Sequence, residues 1–181
     1  MNEPALRRMG VEEFLLWEDG TDRRHELVDG HPIAMAPTKE AHGVVMVNAI
    51  VAIDQRLKPP CRAVAEAGIA VDDANLYIAD VAVTCSPTSP QGLLREPVLV
   101  VEVLSPSTRG FDLGVKADDY STMPSMREIW LIDSERRWVR LWRRQGELWT
   151  VTLPIVGQGA FESAVLEDRI TLDGLYAGTG L

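Results

Sequence analysis

Two acidic residues of this chain stand where acids are costly. Asp80 interrupts the apolar runs Tyr77-Ile78-Ala79 and Val81-Ala82-Val83, and Glu102 falls between Val98-Leu99-Val100-Val101 and Val103-Leu104. The second run, rich in β-branched residues and bounded by Pro97 and Pro106, reads as a strand covered on both faces. An ionised carboxylate there costs on the order of several kcal/mol unless a cation pairs with it, or unless it sits at the strand's end with its head in solvent. Lys116 is a candidate cation. It lies in Asp112-Leu113-Gly114-Val115-Lys116-Ala117-Asp118-Asp119-Tyr120, which reads as a helix with Asp112 near its N-terminus. Helical spacing then puts Asp112, Lys116 and Tyr120 on one face.

Two carboxylates and a lysine suit phosphodiester hydrolysis. Mg²⁺ takes one or two carboxylates and leaves its other positions to water and substrate, and the backbone carbonyl of Val103 offers another hard oxygen. A lysine beside such a site would orient or deprotonate the attacking water and offset charge on the transferring phosphate. Ser105, Thr108 and Tyr120 would contact phosphate or position Lys116. The alternative is a buried ion-pair network without turnover.

The elements that must hold these residues follow in order. Val11 to Trp17 reads as a short amphipathic helix, and Arg24 to Val28 with His31 to Met35 as a hairpin turning at Asp29-Gly30. Pro37-Thr38 opens a helix to about Leu57, with Thr38 as N-cap and His42, Met46, Ile50, Ile53 and Leu57 as its buried stripe. His42, at the head of that stripe, reads as a helix-end histidine or a substrate contact. Val64 to Val71 and Leu76 to Thr84 are neighbouring strands, the second carrying Asp80. The loop from Ser86 to Gly92 leads to the Glu102 strand. Beyond the Lys116 helix come a core strand, Glu128 to Asp133, and a long hairpin, Trp138 to Trp142 and Glu147 to Leu153.

That hairpin carries Arg136, Trp138, Arg140, Trp142 and Arg144 on one face, with Val139 and Leu141 on the other. Such a face suits a subunit interface, phosphate contact with base stacking, or a solvated cation-π ladder.

At 181 residues, 46% hydrophobic and 25% charged, the chain suits one globular domain over 1–181 and excludes a disordered or fibrous reading. No apolar run approaches the roughly 18 residues of a spanning helix, and Met1-Asn2-Glu3-Pro4 does not start a signal peptide. A cytoplasmic protein without membrane contact is expected. Cys61 and Cys85, with no CxxC pair, read as idle thiols. A net charge of -9 confines any nucleic-acid contact to a local surface.

Five stretches together resemble one family: Glu26-Leu27-Val28-Asp29-Gly30, Ala79-Asp80-Val81-Ala82, Val100 through Thr108, Asp112-Leu113-Gly114-Val115-Lys116, and Trp130-Leu131-Ile132-Asp133. They resemble the Uma-type restriction endonuclease family of the PD-(D/E)XK nuclease superfamily, from about Gly10 to Tyr176. The resemblance implies an α/β fold, a mixed β-sheet core flanked by helices, restriction-endonuclease-like, here with an added C-terminal antiparallel hairpin. It implies Asp80 and Glu102 as metal-binding acids, Lys116 as their lysine, and Glu26 as a further acidic catalytic residue. Mg²⁺ or Mn²⁺ is the implied cofactor and DNA the implied substrate. A homodimer is expected from twofold duplex cleavage and from the face bearing Trp138 and Trp142. Two departures stand out. Ala79 replaces the usual proline, and Leu104 occupies the usual lysine position, which Lys116 fills from the next helix. A non-catalytic relative binding nucleic acid or a protein partner is the alternative.

Overall fold

The computed structural model of the chain describes residues 7–90, 92–106 and 109–181. After a one-turn helix, α1 (Val11–Phe14), which ends earlier than its apolar pattern suggests, the hairpin β1 (His25–Val28) and β2 (His31–Ala34) forms as expected. Asp29 and Gly30 turn it with φ of 50° and 75°, the left-handed geometry that this dipeptide tolerates. The long helix α2 spans Glu40–Asp54, with Lys39 rather than Thr38 as N-cap. Its innermost line is Val45, Ala49 and Ile53, while Met46, Ile50 and Leu57 are only partly buried.

Strands β3 (Arg62–Ala70), β4 (Leu76–Thr84), β5 (Pro97–Leu104), β6 (Glu128–Asp133), β7 (Trp138–Gln145) and β8 (Leu148–Val151) build the main sheet. Its order is β2-β1-β4-β5-β6-β7-β8; β3 also pairs with β4, and β9 (Ile155–Val156) with β7. Among the described residues only β5 and β6 run parallel. Their crossover is helical: α3 (Arg109–Phe111), a π-helical stretch from Asp112 to Lys116, then α4 (Ala117–Thr122). The fold is thus the expected mixed sheet flanked by helices. The hairpin β7–β8 extends this sheet, and a separate antiparallel pair, β10 (Ala160–Ser163) and β11 (Asp168–Thr171), follows.

Both sheet faces are covered. On one, Val81, Val83, Leu99, Val101, Trp130 and Ile132 pack against α2 and the C-terminal segment; on the other, Val100, Leu104, Ile129 and Leu131 pack against Ala117, Tyr120 and Met126. Cys61 and Cys85 correct the expectation of idle thiols, since they form a disulfide. The β3–β4 register pairs Arg62 with Thr84, so the next step outward sets the two cysteines across from each other. Among the described residues no helix is long and apolar enough to cross a membrane.

Tyr176, just after the last helix α5 (Leu172–Leu175), locks the C-terminal segment to the β6–β7 turn. Its hydroxyl accepts from Trp138 N–H at 3.0 Å and faces the carbonyls of Asp133 and Trp138 at 2.8 and 2.9 Å. Burial pushes its phenol up to about 12. Tyr176→Phe leaves the buried Trp138 N–H without that acceptor, so urea unfolding is expected to show a loss of about 1–3 kcal/mol. An unchanged midpoint would mean that water or a small shift replaces the bond.

Candidate active site

The site is built where two strands part. The β4–β5 ladder ends at the pair Val81 and Val101, and one more step would oppose Asp80 to Glu102. Beyond this point β4 turns to β1, through Leu27 opposite Leu76. Parting frees backbone donors, which must find acceptors. Side-chain carboxylates supply them: Asp80 Oδ2 accepts from Val103 N–H at 2.7 Å, and Glu26 Oε1 from Ile78 N–H at 2.7 Å.

Glu102 is 3% exposed and meets the crossover helix that covers its sheet face. Its Oε1 accepts from the Tyr120 hydroxyl at 2.8 Å and lies 3.6 Å from Lys116 Nζ. Lys116 in turn donates to Glu26 Oε1 at 2.7 Å and lies 3.6 Å from Asp112 Oδ1. The rings of Tyr77 and Phe111 are 5.5 and 5.8 Å from the same ammonium. The π-helical stretch widens the turn that carries Asp112 and Lys116, a distortion frequent at functional sites. Spacing on this helix therefore does bring Asp112, Lys116 and Tyr120 to one place.

His42 completes the group from α2, with Nε2 2.9 Å from Asp80 Oδ1. Burial disfavours its charged form, but the hydrogen bond to Asp80 and the charges of Asp80, Asp112 and Glu66 together outweigh this and raise its pKa. The sequence left His42 as a helix-end histidine or a substrate contact; in the fold its Nε2 meets the other oxygen of Asp80. Ser105 is half-buried just past β5, whereas Thr108 lies outside the described residues.

Electrostatics here are crowded. Burial first, then the charges of Asp80, Asp112 and Glu26, push the Glu102 carboxyl well above its ordinary range, against the opposing pull of Lys116. Burial works against the charged form of Lys116 too, yet Glu102, Glu26 and Asp112 together raise its pKa. Burial and Glu102 likewise raise the Tyr120 phenol. The ammonium is thus firmly protonated. Among the described residues no three His, Cys, Asp or Glu side chains are grouped to cage a metal ion. Both oxygens of Asp80 are engaged, Oδ1 with His42 and Oδ2 with Val103 N–H, while Glu102 is buried.

Sequence reasoning missed Glu66 and Arg24. Glu66 has φ of 48° between the pairs Ala65–Val81 and Ala67–Ala79, across from Asp80, and its carboxylate meets Arg24 at 2.6 Å. A positive φ on a non-glycine residue beside the site marks backbone held there by its surroundings. No sequence signal distinguishes this glutamate from its exposed neighbours.

Comparisons with known proteins give the family and the fold. The Uma2 family, described as "Putative restriction endonuclease", matches residues 11–172. An uncharacterised protein of Synechocystis sp. is 29% identical over 176 residues, covering 94% of this chain and 93% of that protein. A second from the same organism is 28% identical over 160 residues, covering 82% and 88%. The crystal structure of a putative nuclease from Anabaena variabilis matches with a TM-score of 0.77 at 18% identity, over 94% of this chain and 99% of the other. At that identity the likeness is one of fold.

Glu102 gives the site a test that needs no substrate. Its carboxyl titrates in the fold above the ordinary value of 4.5, so its contribution to stability is complete below that pH and is lost as pH rises through the folded-state pKa. Without divalent cations, Glu102→Gln is expected to stabilise the fold at neutral pH by about 1–2 kcal/mol. The gap closes as pH falls toward 4.5. A variant that melts below wild type at neutral pH would show instead that pairing with Lys116 dominates.

Proposed function

Because the chain belongs to the Uma2 family of putative restriction endonucleases, we propose that it is a metal-dependent endonuclease of the PD-(D/E)XK type that hydrolyses DNA phosphodiester bonds. The observation that carries this reading is the crowding of Asp80, Asp112 and Glu26 around buried Glu102, with Lys116 as the opposing charge. Such an excess of carboxylate calls for a further cation. Mg²⁺ or Mn²⁺ fits the donor set: Asp80, Glu102 and the Val103 carbonyl would hold it. A strand residue presents its N–H and C=O to the same side, and Val103 N–H already points at Asp80. When bound, the cation neutralises charge on the transferring phosphate.

The chain's own residues do the rest. Lys116 orients the attacking water and offsets charge on the phosphate oxygens. Glu26 and Asp112 fix the ammonium, and Tyr120 fixes Glu102. His42 keeps the Asp80 carboxylate turned toward the gap between β4 and β5. Ser105 and Thr108 would contact phosphate. A twofold pair of chains is the simplest way to cut both strands of a duplex, and a cytoplasmic homodimer belongs to this reading. With Trp138 only 6% exposed, that ring contributes little surface to such a contact. Leu104, where the superfamily usually places lysine, favours the alternative, a nuclease-fold protein that binds nucleic acid or a protein partner without cutting.

Incubation with linear and supercoiled DNA, in Mg²⁺ and in Mn²⁺, separates the two. Cleavage is expected, with Asp80→Asn and Glu102→Gln abolishing it together with metal-induced thermal stabilisation. Lys116→Met should keep the metal-induced shift while turnover falls by about 10² to 10⁴. Wild-type protein whose melting temperature ignores both cations, and which leaves every DNA intact, would overturn the endonuclease reading.

A further inference from the structure

We propose that Arg140 grips a backbone phosphate adjacent to the one being cut, an inference that rests on the endonuclease reading above. Position comes first. Glu102 is paired with Leu131, and Leu131 with Arg140. Residues opposed across a sheet share a face, so Arg140 lies on the face of Glu102, two strand spacings away, or roughly 10 Å. Trp138 and Trp142 alternate with it on β7 and belong to the same buried cluster as Tyr120, whose hydroxyl meets Glu102.

The arginines around it are engaged. Arg136 pairs with Asp133 at 2.8 Å, Arg143 with Glu128 at 2.9 Å, and Arg137 with Asp173. Arg144 donates to the carbonyls of Ser121 and Met123 at 2.7 and 3.0 Å. Arg140 is half-buried, and among the described residues it has no acidic or carbonyl partner; its Nε is buried without an acceptor. Its guanidinium is nonetheless held, with its carbon 5.3 Å from the Trp138 ring, beside which Arg136 also sits at 5.6 Å. A guanidinium steadied on a fixed indole loses little freedom on binding, and its remaining donors match the bidentate geometry of phosphate. In a chain of net charge -9, this is a cation set beside the acidic site and left unneutralised. Leu131 between the two is fully buried, so a strand whose scissile phosphate lies at Asp80 and Glu102 would present its neighbouring phosphate to the solvent side of half-buried Arg140.

Fluorescence anisotropy of a short labelled DNA duplex in EDTA reads binding without cleavage. Arg140→Gln is expected to weaken binding about tenfold at low salt, and to lower the slope of log affinity against log salt by about one. Arg140→Lys should recover the slope and only part of the affinity. Arg169→Gln removes the same charge from an exposed position on β11 and should follow wild type. A partly unfolded variant loses apparent affinity without changing its salt slope, so the slope reports the phosphate contact itself. If Arg140→Gln keeps the wild-type slope while wild type binds and cuts DNA, Arg140 is not a phosphate contact and the endonuclease reading survives. If wild type neither binds DNA nor cuts it in Mn²⁺, both fall.

Discussion

The site depends on one constraint, the satisfaction of backbone donors where β4 and β5 separate. Two strands can diverge inside a sheet only if the N–H groups they expose find other acceptors, because an unpaired buried donor costs on the order of 1–3 kcal/mol. Here the acceptors are the carboxylates of Asp80, on Val103 N–H, and of Glu26, on Ile78 N–H. The bonds that keep the sheet intact are therefore also the bonds that aim the acids. A hydrophobic residue at either position would close no gap and would leave a backbone donor stranded.

Glu26 also meets Lys116 through the same oxygen, which ties the hairpin β1–β2 to the crossover helix. Lys116 is in this way fixed by groups from three elements: Glu26 on β1, Glu102 on β5 and Asp112 one turn earlier in its own helix. Breaking such a set by removing the lysine leaves several buried acids uncompensated, so its energetic weight falls on the acids rather than on any single pair. Under the proposed function that excess charge would be what binds a cation. As a purely structural network it would cost more than an apolar core of the same volume.

What could be read from the sequence, and what could not, divides along physical lines. Asp80 and Glu102 were legible because each breaks an apolar strand, and Lys116 and Tyr120 because positions four apart share a helix face. The phase of α2 was not legible. Val44, Val45, Met46, Val47, Ile50 and Val51 are apolar on every side of that helix, and the chain buries the line of Val45, Ala49 and Ile53 while Val47 and Val51 stay exposed. His42 was therefore visible as a residue near the stripe but not as a partner of Asp80. The disulfide was hidden for a simpler reason. β3 begins at Arg62 rather than Val64, and without those two residues the β3–β4 register does not reach Cys61 and Cys85.

A net charge of -9 argues against a broad nucleic-acid surface, and the proposed endonuclease requires only a local one. Several acids are gathered within the opening between β4 and β5, where the proposed cation would offset them, while others neutralise arginines elsewhere: Glu66 with Arg24, Asp168 with Arg56, Glu128 with Arg143. Charges paired at close range contribute little potential at a distance, and what remains is screened within about 8–10 Å at physiological salt. Under the proposed function an approaching phosphate would respond to the local balance of charge, not to the sum over the chain. Arg140, half-buried on the sheet face of Glu102 and unneutralised among the described residues, would supply that attraction two strands from the acid.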